Sequence, residues 1–418
     1  MSVSYILPNE LLEIIFNFCD VHTLSQISMV CKQFNNMANN TLNKKSKHLF
    51  VSITNQKSNK FVERCKSLLS SHNSIFITYY NWIYGGYKRS KIYEEICEER
   101  PFLKHTSTYK CLQMTEDTIW FCENTNPGNL LAYNRTEDGT IKKDNKIVGT
   151  NYTFIKSIAY CDDYILSGDV DGMIKRWKIK NNKNDFECLK IHNVDKPIRL
   201  IDATSQHIIT SLQSSFANSI KILKYTDDKK GCTEVNEIFY ADNYLASYVS
   251  SISFDPIGTK FAASSNKTGS SSSFLIYDID KSYQIMDKKC GDHCFQLLWE
   301  DSHTILMCFV NSIKKMDMRT SEVVRTWDSS KYGRSLCCSS DNRYTFMTGN
   351  YNAALWDQRQ SVAIQTYFVE DDKYKAVFAL EFDNTQMYAV TVNGLYELDF
   401  TGRDHFDHKE IKKYFDNF

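Results

Sequence analysis

Apolar positions recur along this chain with two different periods, and the change falls near residue 50. In "ILPNELLEIIFNFCD" (6–20), Leu11, Leu12, Ile15, Phe16 and Cys19 return at three- and four-residue steps, the spacing of a helix face. Pro8 suits the first helical turn, and Glu10 suits its positive dipole end. Asp20 and Val21 begin a break. Thr23 followed by Gln26 then predicts a capped second helix. Leu24, Ile27, Val30, Cys31, Phe34 and Met37 line one of its faces, and Asn39-Asn40 end it. Two or three short helices stand near the lower size limit for an independent core. Their apolar surface is therefore expected to serve a partner as well as the fold.

From about Tyr109 to Phe400 the period is that of strands. The clearest unit is "FIKSIAYCDDYILSGDVDGMIKRWKI" (154–179). Alternation predicts strands at 154–160 and 164–167. Asp171-Gly172 marks a hairpin turn, because glycine tolerates positive φ, and a third strand follows over 173–179. That third strand recurs as "LLAYN", "IKRWKI", "KILKY", "FLIYDI", "IKKMDM", "AALWDQ" and "LYELDF". Tyr133, Trp177, Leu223, Tyr277, Met316, Trp356 and Leu398 align, at steps of 39 to 54 residues. Such a period belongs to four-stranded propeller blades, and seven units predict seven blades around a channel. No fourth strand follows Phe400, so a segment within 75–106 is expected to pair there and close the ring.

The stretch between the two regions has a helical pattern around 61–69 and is then rich in aromatics, "ITYYNWIYGGYKRSKIYEEICEERPF". It reads as a packed connection under the propeller. The expected division is 1–50 helical, 51–107 connecting, 108–402 propeller and 403–418 a polar tail.

Charge and composition narrow the function. Lys+Arg and Asp+Glu both number 50, and a balanced chain is a poor candidate for neutralising nucleic-acid phosphates. No apolar run approaches the ~20 residues that span a bilayer. The N-terminus lacks the basic flank of a signal peptide, so a cytosolic or nuclear chain is expected. Its fourteen cysteines then read as reduced, small core residues. The densest thiol cluster, Cys290-Gly-Asp-His293-Cys294, has no CxxC partner to complete a four-ligand zinc site and reads as a loop with buried thiols. The chain carries no Gly-rich phosphate loop, HExxH or nucleophile elbow. No catalytic, cofactor-binding or metal-ligating residue is assigned.

Both regions resemble known families. "LPNELLEIIFNFCDVHTLSQISMVCKQFNNMA" (7–38) is similar to an F-box: Leu7-Pro8, Glu10-Leu11, Ile15-Phe16, Asp20, Leu24, Val30-Cys31-Lys32 and Phe34 fall at its motif positions. Cys19 stands where a leucine is usual, and Phe34 where a tryptophan is. "LSGDVDGMIKRW" looks like a WD40 repeat, with Ser167, Asp171 and Trp177 at three of its four hydrogen-bonding positions. The fourth, normally histidine in a Gly-His pair, falls in Gly149-Thr150. "TGNYNAALWD" repeats the theme with Thr348, Asn352 and Trp356. The fold class expected is thus a small all-α F-box domain followed by an all-β WD40-like propeller. "NWIYGG", "YKCLQMTEDTIWFCENTNPGNLLAYN", "KKMDMRT", "ALWDQRQ" and "MYAVTVNGLYELDF" resemble the dactylin type of F-box/WD-repeat proteins.

The resemblance implies a non-catalytic substrate receptor of a Skp1-cullin-F-box ubiquitin ligase. The F-box would dock on Skp1, and through it a cullin-RING ligase. The propeller would hold a protein substrate for ubiquitination and proteasomal degradation. The alternative is a WD-repeat scaffold that no longer recruits a ligase. Leu7, Pro8, Leu11, Ile15 and Val30 are the candidate Skp1 anchors. Leu11 and Ile15, with Leu24 and Ile27, serve equally well as core. In the first strands of the blades, the position after the first apolar residue reads Lys156, Arg199, Ser250, Gln296, Arg334 and Phe378. Its three cations, Lys156, Arg199 and Arg334, are the candidate substrate site, and such a set suits a phosphorylated peptide.

Overall fold

The computed structural model describes residues 7–402 except 20, 53–58, 70–71, 95–109, 124–127, 137–138, 140, 152, 180–185, 214–218, 228–229, 240–246, 268–271, 343 and 372–374. The expected tail 403–418 therefore lies outside the described residues. The chain divides into two compact units. One comprises residues 1–88 with 383–386 and 399–418, and the other residues 89–382 with 387–398.

The first unit is helical: α1 (Asn9–Phe18), α2 (Val21–Ser28), α3 (Lys32–Ser52), α4 (Asn59–Leu68) and α5 (His72–Tyr84). Pro8 is the N-cap of α1, and its carbonyl accepts the amides of Leu11 and Leu12 at 3.1 Å. Leu12, Phe16, Leu24, Met37, Ala38, Leu42 and Phe76 form one buried cluster. Phe34 meets Phe16 edge-on, with ring centroids 5.6 Å apart. Two expectations change here. Residues 24–37 are not one helix: the chain turns over Met29–Cys31 and restarts at Lys32. Thr23 then lies inside α2 rather than before it, and Asn39-Asn40 lie in the interior of α3, which continues to Ser52. Burial of Leu42 on the same core overrides the weak helix propensity of the asparagines. In α5, the Trp82 ring stacks on Phe400, and its Nε1 donates to the carbonyl of Asn384 at 2.9 Å.

The second unit holds seven four-stranded sheets. Blades 1 to 6 are consecutive meanders over residues 112–150, 155–193, 198–239, 247–290, 294–328 and 337–367. Blade 7 has three strands of its own, Val377–Phe382, Gln386–Thr391 and Gly394–Asp399. Its fourth is Lys88–Glu94, paired with Gly394–Asp399, so the ring closes through an upstream segment as the strand count demanded. First strands of neighbouring blades touch one another, which makes them the inner ring around the axis. Their free edges leave backbone N–H groups to satisfy. Side chains of the preceding blade do so: Ile201 N–H donates to Ser157 Oγ (3.2 Å), Phe254 N–H to Asp202 Oδ2 (2.9 Å), Leu297 N–H to Ser251 Oγ (3.0 Å) and Cys338 N–H to Gln296 Oε1 (2.8 Å).

The repeat signature holds in part. Trp177 Nε1 donates to Ser167 Oγ at 2.8 Å, and Trp356 Nε1 to Thr348 Oγ1 at 3.0 Å. Gly149 is required by the close approach of Trp177, whose ring would sit 2.8 Å from a Cβ there. Asp171 departs from expectation. It is exposed, and the buried carboxylate of the turn is Asp169, which accepts the amides of Asp171 and Met173. The histidine's place is taken by fully buried Asn151, which donates to Asp169 Oδ2 at 3.3 Å and accepts from Lys175 Nζ. Asp169→Ala should therefore cost ~3 kcal/mol of stability, because it leaves the buried Asn151 amide and the turn amides of Asp171 and Met173 without their acceptor. Asp171→Ala should stay within ~0.5 kcal/mol. Urea unfolding of the two variants checks the contrast.

Candidate interaction surfaces

The first helix is apolar on two sides. Leu12 (5 % exposed) and Phe16 (2 %) enter the helical core. Leu7, Leu11, Ile14, Ile15 and Phe18 lie on the other side, at helical steps, and all are exposed, Phe18 by 88 %. Met29 and Val30, in the turn before α3, are exposed as well. Seven of the eighteen exposed large apolar side chains of the described residues thus fall within residues 7–30. Scattered exposure is ordinary, whereas such concentration marks a surface made for another molecule.

Polar contacts hold the strip in shape. Gln33 Nε2 donates to Asn9 Oδ1 at 2.6 Å and pins the start of α3 to the start of α1, which brings Val30 and Cys31 toward Leu7-Pro8. Lys45 Nζ donates to the Cys19 carbonyl at 2.6 Å, placing a cation at the negative end of α1. All five sequence-derived anchors, Leu7, Pro8, Leu11, Ile15 and Val30, are exposed. The two readings of Leu11 and Ile15 resolve toward surface, while Leu24 is core and Ile27 packs against it. Ile14, Phe18 and Met29 were missed. The steps Leu11–Ile14–Phe18 carried a signal for the first two.

At the other candidate site the structure changes the residue set. Pairing of first with second strands skips one residue in blades 2, 3, 4, 5 and 7: Lys156, Arg199, Ser250, Phe295 and Phe378. These bulges sit at the starts of the inner strands, hence at one mouth of the channel. Carrying the register across places Lys110 of blade 1 and Leu336 of blade 6 at the same position. Two corrections follow. Gln296 is displaced by Phe295, because Cys294 is the first paired residue of that strand. Arg334 is not in the ring. It stands exposed on the connection before blade 6, beyond the short helix Ser330–Tyr332. A gapless alignment of strand starts cannot see either shift.

The corrected ring is polarised. Lys110, Lys156 and Arg199 occupy blades 1, 2 and 3, and Phe295, Leu336 and Phe378 occupy blades 5, 6 and 7. All six are half-buried. Lys110 Nζ reaches Asp202 Oδ1 at 2.7 Å, an ion pair from blade 1 to blade 3. The Arg199 guanidinium lies over the Tyr248 ring, 4.3 Å from its centroid, and Lys156 Nζ lies 5.7 Å from the Phe154 ring. One layer deeper, the register puts Asp202 of blade 3 and Glu381 of blade 7.

Burial pushes Cys290, Cys294 and Cys337 up, and a hydrogen bond with Cys338 together with burial raises Cys308. No group of three or more His, Cys, Asp or Glu side chains among the described residues is placed to hold a metal ion. No helix of the described residues is long and apolar enough to cross a membrane.

Comparison with known proteins agrees with both units. Residues 5–46 match the F-box domain family. The chain is 21 % identical to human F-box/WD repeat-containing protein 4 over 412 residues, covering 94 % of this chain and 92 % of that protein. Among solved structures, the WD40 β-propeller domain of Doa1 aligns with a TM-score of 0.52 at 13 % identity, over 70 % of this chain and 93 % of that one. The Dos1 propeller aligns with a TM-score of 0.51 at 13 % identity, over 70 % and 78 %. The chain is therefore an F-box domain followed by a seven-bladed WD40-type propeller, the architecture of F-box/WD repeat proteins.

Proposed function

We propose that this protein is the substrate-recognition adaptor of a Skp1-cullin-F-box ubiquitin ligase. The observation that carries the reading is the exposed apolar strip of α1 and the turn before α3, within the residues that match the F-box family. Leu7, Pro8, Leu11, Ile15 and Val30, joined by Ile14, Phe18 and Met29, form its anchors. Burying ~100 Å² of apolar surface contributes about 2.5 kcal/mol before the cost of association. Several such side chains are enough for a stable complex with a grooved Skp1-like adaptor. The propeller holds a protein substrate, and the ubiquitin-transfer chemistry belongs to the cullin-RING partner. This chain contributes proximity: it turns an encounter between substrate and ligase into a step within one assembly. It needs no cofactor for that role, and its place of work is the cytosol or nucleus.

Two measurements test the F-box assignment. Leu7→Ala combined with Pro8→Ala should abolish co-purification of Skp1 and cullin while the thermal unfolding of the propeller stays unchanged. Undiminished recovery contradicts the anchor assignment, and the absence of both partners from the unaltered protein leaves the scaffold reading. Cys31 adjoins Val30 and is exposed, as is Cys188 on the outer strand of blade 2. Skp1 should protect Cys31 from maleimide and leave Cys188 labelling unchanged. Because burial raises the Cys188 thiol, its labelling should also speed up steeply as pH rises above neutral. Equal labelling of Cys31 with and without Skp1 contradicts the docking surface.

A further inference from the structure

We infer that the outer wall of blades 3 to 6 is an interface between two copies of this chain. The inference is independent of the adaptor reading, because it rests on the register of the outer strands. Each of these blades pairs its outer strand with its third strand and skips one outer-strand residue: Val235, Ile285, Val324 and Ile364. All four skips fall beside the aligned third-strand residues Leu223, Tyr277, Met316 and Trp356, hence at the same position of the blade. Such bulges blunt an edge against strand addition, and a polar residue would serve that purpose equally well. Here every bulged residue is β-branched and apolar, and Val235, Ile285 and Val324 are exposed. Tyr283, Val323 and Val362 flank them and are exposed too. The wall thus holds six of the nine exposed large apolar side chains among the described residues of the propeller unit.

Bonds between blades join these strands into one surface. Asn236 Nδ2 donates to the Tyr277 hydroxyl at 2.7 Å, from blade 3 to blade 4. Lys288 Nζ donates to the Ser321 carbonyl at 3.2 Å, from blade 4 to blade 5, and Arg325 Nη2 to the Gln360 carbonyl at 3.1 Å, from blade 5 to blade 6. Because the edges are bulged, the wall meets a partner with side chains rather than with its backbone. Its charge favours a second copy. On blade 3, Glu234 and Glu237 are held by Lys221 and Lys196 at 2.8 and 3.5 Å. On blades 4 and 5, exposed Lys288 and Lys289 balance exposed Asp287 and Glu322. Two such walls meet without net repulsion, whereas a strongly acidic or basic partner finds no opposite field here. Lys289 and Glu322 lie on neighbouring blades and have no ion pair among the described residues. A two-fold axis between those blades sets Lys289 of each copy opposite Glu322 of the other, so the pair forms twice in an isologous contact. The outer strands Cys232–Phe239, Tyr283–Cys290, Glu322–Asp328 and Ala363–Tyr367 together bring about the 20–30 residues a side of a standard interface.

Sedimentation of the purified full chain, from sub-micromolar to tens of micromolar concentration, tests the inference. The expected result is a reversible monomer–dimer equilibrium. Ile285→Asp with Val324→Asp should weaken the dimer about a hundredfold, since each new charge enters the interface twice. Lys289→Glu alone should weaken it about tenfold, and adding Glu322→Lys should restore it. Thermal unfolding of every variant should match that of the unaltered chain, because all four side chains are exposed. Should the aspartate pair unfold, the charge-reversal series carries the test. Phe18→Ser on α1 should leave the dimer intact, which separates this wall from the apolar strip of the helical unit. A monomer at every concentration overturns the inference, as does a dimer that survives the two aspartates or one that only Phe18→Ser dissolves. A monomeric chain that recovers a different protein, and loses it with the aspartate pair, assigns the wall to that protein and overturns the second copy. Loss of the dimer with the aspartates but no rescue by the paired charge reversal keeps the wall as the interface and overturns the Lys289–Glu322 pairing.

Discussion

A ring of twisted sheets is stable only when its last sheet meets its first, and here that closure depends on a strand from outside the repeats. Blade 7 has three strands of its own, and Lys88–Glu94 supplies the fourth. Without it the strand Gly394–Asp399 would be a bare edge, open to pairing with another chain. The partner strands lie some 300 residues apart, so the ring completes only after nearly all of the chain is made, at the entropic cost of long-range closure. The same demand for satisfied edges acts on the inner strands. Ser157, Asp202, Ser251 and Gln296 each take an amide of the next blade's first strand. These bonds fix the register, and the register decides which side chains reach the mouth of the channel.

The helical unit meets a different constraint. A helix of ten residues is too short to be stable alone, so α1 needs its buried side, Leu12 and Phe16, to exist at all. Its opposite side is equally apolar and gains nothing from the fold of this chain. Keeping Leu11, Ile15 and Phe18 in water is unfavourable for solubility and is the natural design of a surface that another protein covers. In the proposed adaptor role this chain supplies proximity, and the transfer chemistry lies with the partner.

Much of this was legible in the sequence. Seven third strands aligned on Tyr133 through Leu398 gave the blade number, because period-two alternation followed by a turn is a local signal. The closing segment was legible as a missing partner. The bulges were not. A bulge adds one residue without changing the apolar pattern, so Gln296 and Arg334 were placed on the mouth while Phe295, Leu336 and Lys110 were overlooked. Asp171 was preferred to Asp169 for a related reason: turn chemistry identifies a carboxylate near Gly172, and only three-dimensional packing decides which one is buried against Asn151. In α1 the periodicity showed an apolar helix but could not divide its faces, since both are apolar. The restart at Lys32 was hidden because Val30 and Cys31 continue the helical spacing through a turn.

The central claim is that the second apolar face of α1 is an interface. Calorimetric titration of the purified full chain with Skp1 at several temperatures tests it most directly. The account predicts one-to-one binding with a clearly negative heat-capacity change, the signature of apolar surface leaving water, and a smaller change when Phe18 is replaced by serine. Absence of binding, or binding with a heat-capacity change near zero that the Phe18→Ser variant leaves unaltered, would contradict it.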